Sequence, residues 1–184
     1  MKEITTHSHG TEGEHAHEGL AFTTWLDFDL AVSQAEEVCR SLIRKRPDLE
    51  TKFRRACGKL IKDLKALDIS LMEMTKAADK TPLVMSHPVY DYLAARYGLD
   101  IVSLHWEPDQ VPGEQQILEL KTILKTHPTK WLGWGGKPEK ASVELLEELG
   151  VKSLVFDLCG NVPEKGDFMS VMGENIQSLK RAFR

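Results

Sequence analysis

Cysteine is scarce in this chain: its 184 residues hold three, Cys39, Cys57 and Cys159, and no two stand in CxxC spacing. That excludes a disulfide framework and a thiolate zinc site, leaving buried or free thiols. Long apolar runs are missing too, since none reaches the ~20 residues of a membrane span. Met1 to Ile4 leads into polar residues with no visible signal-peptide pattern. Taken literally this reads as a cytoplasmic chain; as the later part of a secreted precursor it reads as periplasmic or otherwise extracytoplasmic. Positive charge is not in surplus: 24 Lys and Arg stand against 28 Asp and Glu, a formal net charge of −4. A general nucleic-acid binder needs a basic face, so that class is set aside. The one basic concentration, Arg40 to Lys65, is interleaved with Asp48, Glu50 and Asp63 and reads as a solvated helix face. Catalytic signatures are lacking as well. Gly133-Trp134-Gly135-Gly136 has neither the spacing nor the context of a dinucleotide fingerprint, and no P-loop or HExxH occurs. The serines lack the glycine flanks of a nucleophile elbow.

What the chain does have is histidine near its start. His7-Ser8-His9 and His15-Ala16-His17 are spaced by glycines and acids, with almost no apolar residue before Leu20. Neutral imidazole is the commonest protein ligand for zinc and its neighbours, and carboxylates suit the same ions. A tag remnant would be an unbroken His run; the mixture with Glu and Gly favours metal capture instead.

Beyond the loop, Trp25-Leu26-Asp27 opens a helix that Asp27 can cap, with Phe28, Val32, Ala35, Cys39 and Leu42 recurring at helical steps. Pro47 breaks it, and Asp48 is placed to cap the next helix, with Glu50 in its first turn. Leu49, Phe53, Ala56, Leu60, Leu64, Leu67, Leu71, Met74 and Ala78 then advance by threes and fours, predicting a rod of ~45 Å. From Thr81 the rhythm becomes short β-type runs alternating with helices. The runs are Leu83 to Met85, Ile101 to Leu104, Trp131-Leu132 and Leu154 to Phe156. Helices span Val89 to Tyr97, Glu114 to Lys125, Glu139 to Leu149, and a last one carrying Phe168, Met172, Ile176, Leu179 and Phe183. Alternation of this kind implies parallel strands with right-handed crossovers. The predicted fold is α/β: a long helix, then a four-stranded parallel sheet lobe flanked by helices.

In open α/β sheets ligands bind beyond the carboxyl ends of the strands. The four exits are Ser86-His87-Pro88, His105-Trp106-Glu107-Pro108, Trp134-Gly135-Gly136 and Asp157-Leu158-Cys159-Gly160. His87, Asp157 and, where strand register allows, His105 are therefore the candidate chemistry of that edge. A single His at a strand end is commonly a structural hydrogen-bonding residue, and an Asp there can simply cap a turn. It is their combination with the His-rich loop that reads as a nitrogen-and-oxygen donor set for a divalent ion. His127, before Pro128, reads as a surface residue.

These segments together resemble the zinc/manganese-type metal-binding proteins that serve bacterial ABC importers. Thr23-Thr24-Trp25-Leu26-Asp27 is similar to the family's HxWLDP motif, and Met85-Ser86-His87-Pro88-Val89-Tyr90-Asp91-Tyr92-Leu93 with Tyr97-Gly98-Leu99 to its FHDAYGYF…YGL-like motif. Glu107 to Gly113 is similar to the stretch before its next helix, and Asp167 to Leu179 to its closing helix. The resemblance implies two α/β lobes joined by a rigid helix, with the ion between them. It divides this chain into a His-rich loop (1–24), a helix belonging to an N-terminal lobe (25–47), a long interlobe helix (48–80) and a C-terminal α/β lobe (81–184). His87 and Asp157 match the family's ligand positions. The chain departs from the pattern at Thr23, which stands where a second His is expected, and near Trp134 to Lys137, where a family acid is replaced. His15 or His17 would then swing in to complete the shell, with His7 and His9 as further collectors.

The implied function is binding of zinc, with manganese as the alternative, for delivery to an ABC membrane permease, without catalytic turnover. Two other classes stay open on the residues alone. One is a Rossmann-like enzyme lobe using His87, His105 and Asp157 as acid–base groups, with Trp106, Trp131 and Trp134 as apolar walls. The other is a degenerate lobe acting as a scaffold, self-associating through the stripe of its long helix.

Overall fold

A computed structural model describes residues 6–8, 14–16, 21–77 and 81–183. Two short strands, β1 (Thr6–Ser8) and β2 (Glu14–Ala16), pair antiparallel with His7 opposite His15. His9 and His17 lie outside the described residues. A 3-10 turn, Thr24–Leu26, leads into α1 (Phe28–Lys45). As expected, Asp27 caps α1, accepting from the amides of Asp29 (3.0 Å) and Leu30 (3.2 Å).

Pro47 ends α1 and starts a second 3-10 turn, Pro47–Leu49. Contrary to expectation, Asp48 does not cap the second helix. Its carboxylate is held by Arg46 through two bonds of 2.9 and 2.7 Å, because a fork-shaped guanidinium two residues away is a stronger partner than a neutral amide. Helix α2 (Glu50–Ala77) is 28 residues long, a rod of about 42 Å. Its apolar stripe is used unevenly. Leu64, Leu71 and Met74 are buried in the core, whereas Leu60 is 41% exposed. The basic residues of this hairpin are solvated, as expected: Arg40 and Arg44 meet Glu37, Arg54 meets Glu50 and Lys59 meets Asp63, all at the surface.

The second half is the predicted parallel sheet: β3 (Leu83–Met85), β4 (Ile101–Ser103), β5 (Trp131–Trp134) and β6 (Lys152–Val155), in the order β4-β3-β5-β6. Strand β6 begins earlier than its apolar residues suggest. Lys152 pairs with Trp131 in the ladder, and its ammonium lies 5.5 Å from the centre of that indole, so a polar residue finds a place in the strand. Helices α3 (Asp91–Tyr97), α4 (Glu114–Thr126), α5 (Lys140–Glu148) and α6 (Phe168–Ala182) connect and cover the strands.

Successive residues of a strand face opposite sides, and the core divides accordingly. Leu83 and Met85 join Leu64, Leu71, Leu93, Tyr97 and Ile176 on the face covered by α1, α2, α3 and α6. Val84 joins Leu104, Trp106, Leu120, Leu132, Trp134 and Leu146 under α4 and α5. A sheet buried on both faces explains why its strands read as near-continuous apolar runs.

An ionic cluster locks the three helices nearest the chain's start. Asp68 on α2 accepts two bonds from Arg96 (3.2 and 2.8 Å) and one from the Tyr97 hydroxyl (2.8 Å). Arg96 also lies 3.7 Å from Asp27, and the Tyr97 oxygen accepts the amide of Phe28 at 3.3 Å. Burial, and then its bond to Asp68, push the Tyr97 hydroxyl well above the ordinary phenol range.

Candidate metal-binding edge

The strand order places a topological switch between β3 and β5. From β3 the chain moves to β4 on one side, then returns past β3 to β5 with α4 on the opposite face. Crevices for ligands form at the carboxyl ends of strands on either side of such a reversal. Ser86, buried at this point, ties its neighbours together: its carbonyl accepts the Trp106 amide at 2.8 Å, its amide donates to Gly133 at 2.8 Å, and its hydroxyl accepts from the Gly135 amide at 3.4 Å. His87 follows directly, half-buried at the switch.

His87 has a partner that the sequence did not single out. Its Nε2 lies 3.1 Å from Oε1 of Glu107, with side-chain exposures of 25% and 31%. Both groups are thus accessible yet partly shielded. Glu107 leaves β4 two residues after His105, so a count of carboxylates at all four exits would have found it.

Asp157 leaves β6, and Asn175 of α6 sets its backbone. The buried amide of Asn175 accepts the Asp157 N–H at 2.8 Å and donates to its carbonyl at 2.7 Å. Oδ1 of Asp157 accepts the Cys159 amide at 2.7 Å, in a turn where Cys159 has φ of +52°. A carboxylate offers about four lone-pair positions, so this turn orients the group and leaves capacity for another ligand. Burial and then the Asp157 charge push the Cys159 thiol up to about 11, which keeps it a neutral thiol.

β3 and β6 flank β5, so the exits of His87 and Asp157 are two strand spacings apart, roughly 10 Å at the backbone. Tyr90 crosses that gap. It is buried, and its hydroxyl donates to the carbonyl of Phe156 at 3.1 Å. Gly135 lies beside it, where a Cβ would make an ordinary contact with the Tyr90 oxygen at 3.4 Å. The segment before α1 closes over both exits. The buried Thr23 hydroxyl donates to the Val89 carbonyl, and the Trp25 indole N–H donates to the Leu158 carbonyl at 2.7 Å. Thr23 therefore serves as a fastener between segments at this edge.

Other candidates fall elsewhere. His105 leaves the outer strand β4, on the opposite margin of the sheet from Asp157, and is exposed between buried Leu104 and Trp106. His127 is not the expected surface residue: only 12% of its side chain is exposed, because Nε2 lies 3.1 Å from the Leu83 carbonyl at the start of β3. Trp106 and Trp134 do not wall a substrate cleft. Their rings pack 6.0 Å apart in the core under α4 and α5. Among the described residues, no three His, Cys, Asp or Glu side chains gather into one metal-sized cluster.

Comparison with known proteins bears on this edge. A family model described as ZnuA, zinc-uptake complex component A, periplasmic, matches residues 1–182. The chain is 29% identical over 182 residues to the zinc-binding lipoprotein AdcA of Streptococcus pneumoniae, covering 95% of this chain and 36% of that protein. It is 28% identical over 163 residues to the high-affinity zinc uptake system protein ZnuA of Bacillus subtilis, covering 85% of this chain and 51% of the relative. The chain thus spans about a third to a half of the length of these relatives. The crystal structure of the Zn(II)-bound ZnuA-like domain of Streptococcus pneumoniae AdcA superimposes with a TM-score of 0.80 at 25% identity, covering 91% of this chain and 68% of that one.

Proposed function

The chain belongs to the ZnuA family, and from that membership we propose that it binds a divalent transition metal, zinc in preference to manganese, and presents it to the membrane permease of an ABC importer. The relatives named above are zinc-binding and zinc-uptake proteins, and their setting makes an extracytoplasmic location part of the same proposal. The observation that carries it is the braced edge: His87 and Asp157 leave β3 and β6 on either side of the topological switch, and Tyr90 bridges the gap between them.

In this reading His87 gives a nitrogen donor and Asp157 a carboxylate donor. Glu107, already beside His87 Nε2, turns from its contact with the imidazole to second carboxylate. Zinc prefers four ligands in a tetrahedron, so the shell needs a donor from elsewhere. Thr23, whose hydroxyl is given to the Val89 carbonyl, is not that donor. The loop histidines supply it: His15 or His17 completes the shell, while His7 and His9 raise the local ion concentration. The domain division into loop, N-lobe helix, interlobe helix and C-terminal lobe belongs to the same proposal. Titration calorimetry with zinc tests it, on the wild type and on a His87→Ala, Asp157→Ala double variant. The tight phase should vanish in the double variant and the weaker loop phase should persist; an unchanged tight phase would remove the edge as the binding site.

A second reading, self-association through the long helix, is supported by one feature. Val38, Leu42 and Leu60 leave 58%, 42% and 41% of their surface exposed beside the first half of α2. Sedimentation velocity checks it: dimers that dissociate in a Leu42→Lys, Leu60→Lys variant support it, and a monomer across the micromolar range refutes it.

A further inference from the structure

Two of the three cysteines meet across the α1–α2 hairpin. Cys39 on α1 and Cys57 on α2 stand nine residues before and nine after Asp48, so the hairpin brings them level. Each thiol reaches the main chain of the opposite helix. Cys39 Sγ lies 3.8 Å from the Phe53 carbonyl, and Cys57 Sγ lies 3.7 Å from the Ala35 carbonyl. A side chain one sulfur long can do this only where the two backbones run close. Ala35 and Ala56, small residues beside the two cysteines, line the same seam. A disulfide needs its Cα atoms within about 7 Å, and the two thiols lie close enough across the hairpin to interact with each other. Both residues are half-exposed and line an open cleft of about 500 Å³ flanked by Glu36, Arg40, Arg44 and Arg54.

We infer that Cys39 and Cys57 form a reversible disulfide that staples α1 to α2, with a small anionic disulfide of the glutathione type as oxidant. The thiolate of one cysteine attacks a sulfur of the reagent, forming a mixed disulfide and releasing one small thiol. The second cysteine's thiolate then attacks the protein sulfur of that intermediate, forming the Cys39–Cys57 bond and releasing the second small thiol. Two protein S–H bonds and one reagent S–S bond become one protein S–S bond and two reagent S–H bonds, with two electrons passing to the reagent. Arg40, Arg44 and Arg54, each already paired with a surface carboxylate, keep further N–H donors for the reagent's carboxylates. Burial first, and the Cys39 thiol next, raise the Cys57 thiol's pKa. Exchange therefore quickens as the solution is made alkaline, since the thiolate is the attacking species.

The staple is independent of metal binding at the sheet edge. Its test is incubation of the full chain with oxidised glutathione in chelator-treated buffer, followed by alkylation and mass spectrometry. The expected product has lost two of its three alkylatable thiols and carries no glutathione. Its tryptic peptides ending at Arg40 and Lys59 are joined, its thermal midpoint is raised by several degrees, and dithiothreitol reverses both changes. Cys39→Ser and Cys57→Ser should each instead retain glutathione on the remaining partner. Glutathione held by wild-type Cys39 or Cys57, three thiols still alkylatable, or a bond that involves Cys159 or a second chain would each overturn it.

Discussion

The buried Tyr90 hydroxyl donates to the carbonyl of Phe156 at 3.1 Å, so the turn after His87 is bonded to the residue just before Asp157. Tyr90→Phe removes the donor and leaves that carbonyl without its partner, a loss of about 1–2 kcal/mol. Chemical denaturation should show this as a lower midpoint at unchanged slope. Zinc affinity should fall as well, by about tenfold, the effect of loosening a group that orients ligands.

Glu107 is the second test of the edge. If its carboxylate serves the ion alongside His87, Glu107→Gln should weaken zinc binding by about 10- to 100-fold and leave the fold intact. Calorimetry and the far-ultraviolet circular dichroism spectrum measure the two halves of that statement. Tighter binding in the variant would mean that Glu107 competes with the metal for His87.

Gly133 sits where a side chain has no room. A Cβ at this position would lie 2.5 Å from Met85 Sδ and 2.6 Å from Met85 Cε, and Met85 is itself buried. Gly133→Ala should cost about 1–3 kcal/mol through overpacking, and pairing it with Met85→Ala should recover part of that loss. A double-mutant cycle by thermal denaturation measures the coupling.

Asp68 holds Arg96 and the Tyr97 hydroxyl together between α2 and α3. Asp68→Ala should destabilise the chain by about 1.5–3 kcal/mol, since a charge-assisted bond to a buried hydroxyl is lost. Hydrogen exchange should then quicken in α2 and α3 before it does in β5. Uniform exchange across the chain would show that the cluster is not local to these helices.

Much of this molecule is legible in its sequence because the cues are short-range. The 3.6-residue stripe of α2, the Asp27 cap and the change to strand–helix alternation after Thr81 each reflect a local preference, and the structure follows them. His87 and Asp157 stand out because each comes two residues after the end of a parallel strand, at the sheet edge where ligand crevices form. Strand order is not legible, and it decides which exits are neighbours: β3 between β4 and β5 puts His105 on the far margin and Glu107 beside His87. His127 departs from its local cue because Pro128 signals a loop, while its burial depends on the Leu83 carbonyl, 44 residues away in the chain. Asp48 departs for the opposite reason, since Arg46 competes with the helix amides from only two residues away.

A zinc-soaked crystal, recorded on both sides of the zinc absorption edge, tests most directly whether the imidazole of His87 and the carboxylate of Asp157 clasp one ion. The predicted result is a single strong anomalous peak about 2.0–2.2 Å from an imidazole nitrogen of His87 and from a carboxylate oxygen of Asp157, the bond lengths zinc adopts with such donors. Anomalous density confined to the His-rich loop, with His87 and Asp157 bound to no common ion, would contradict it.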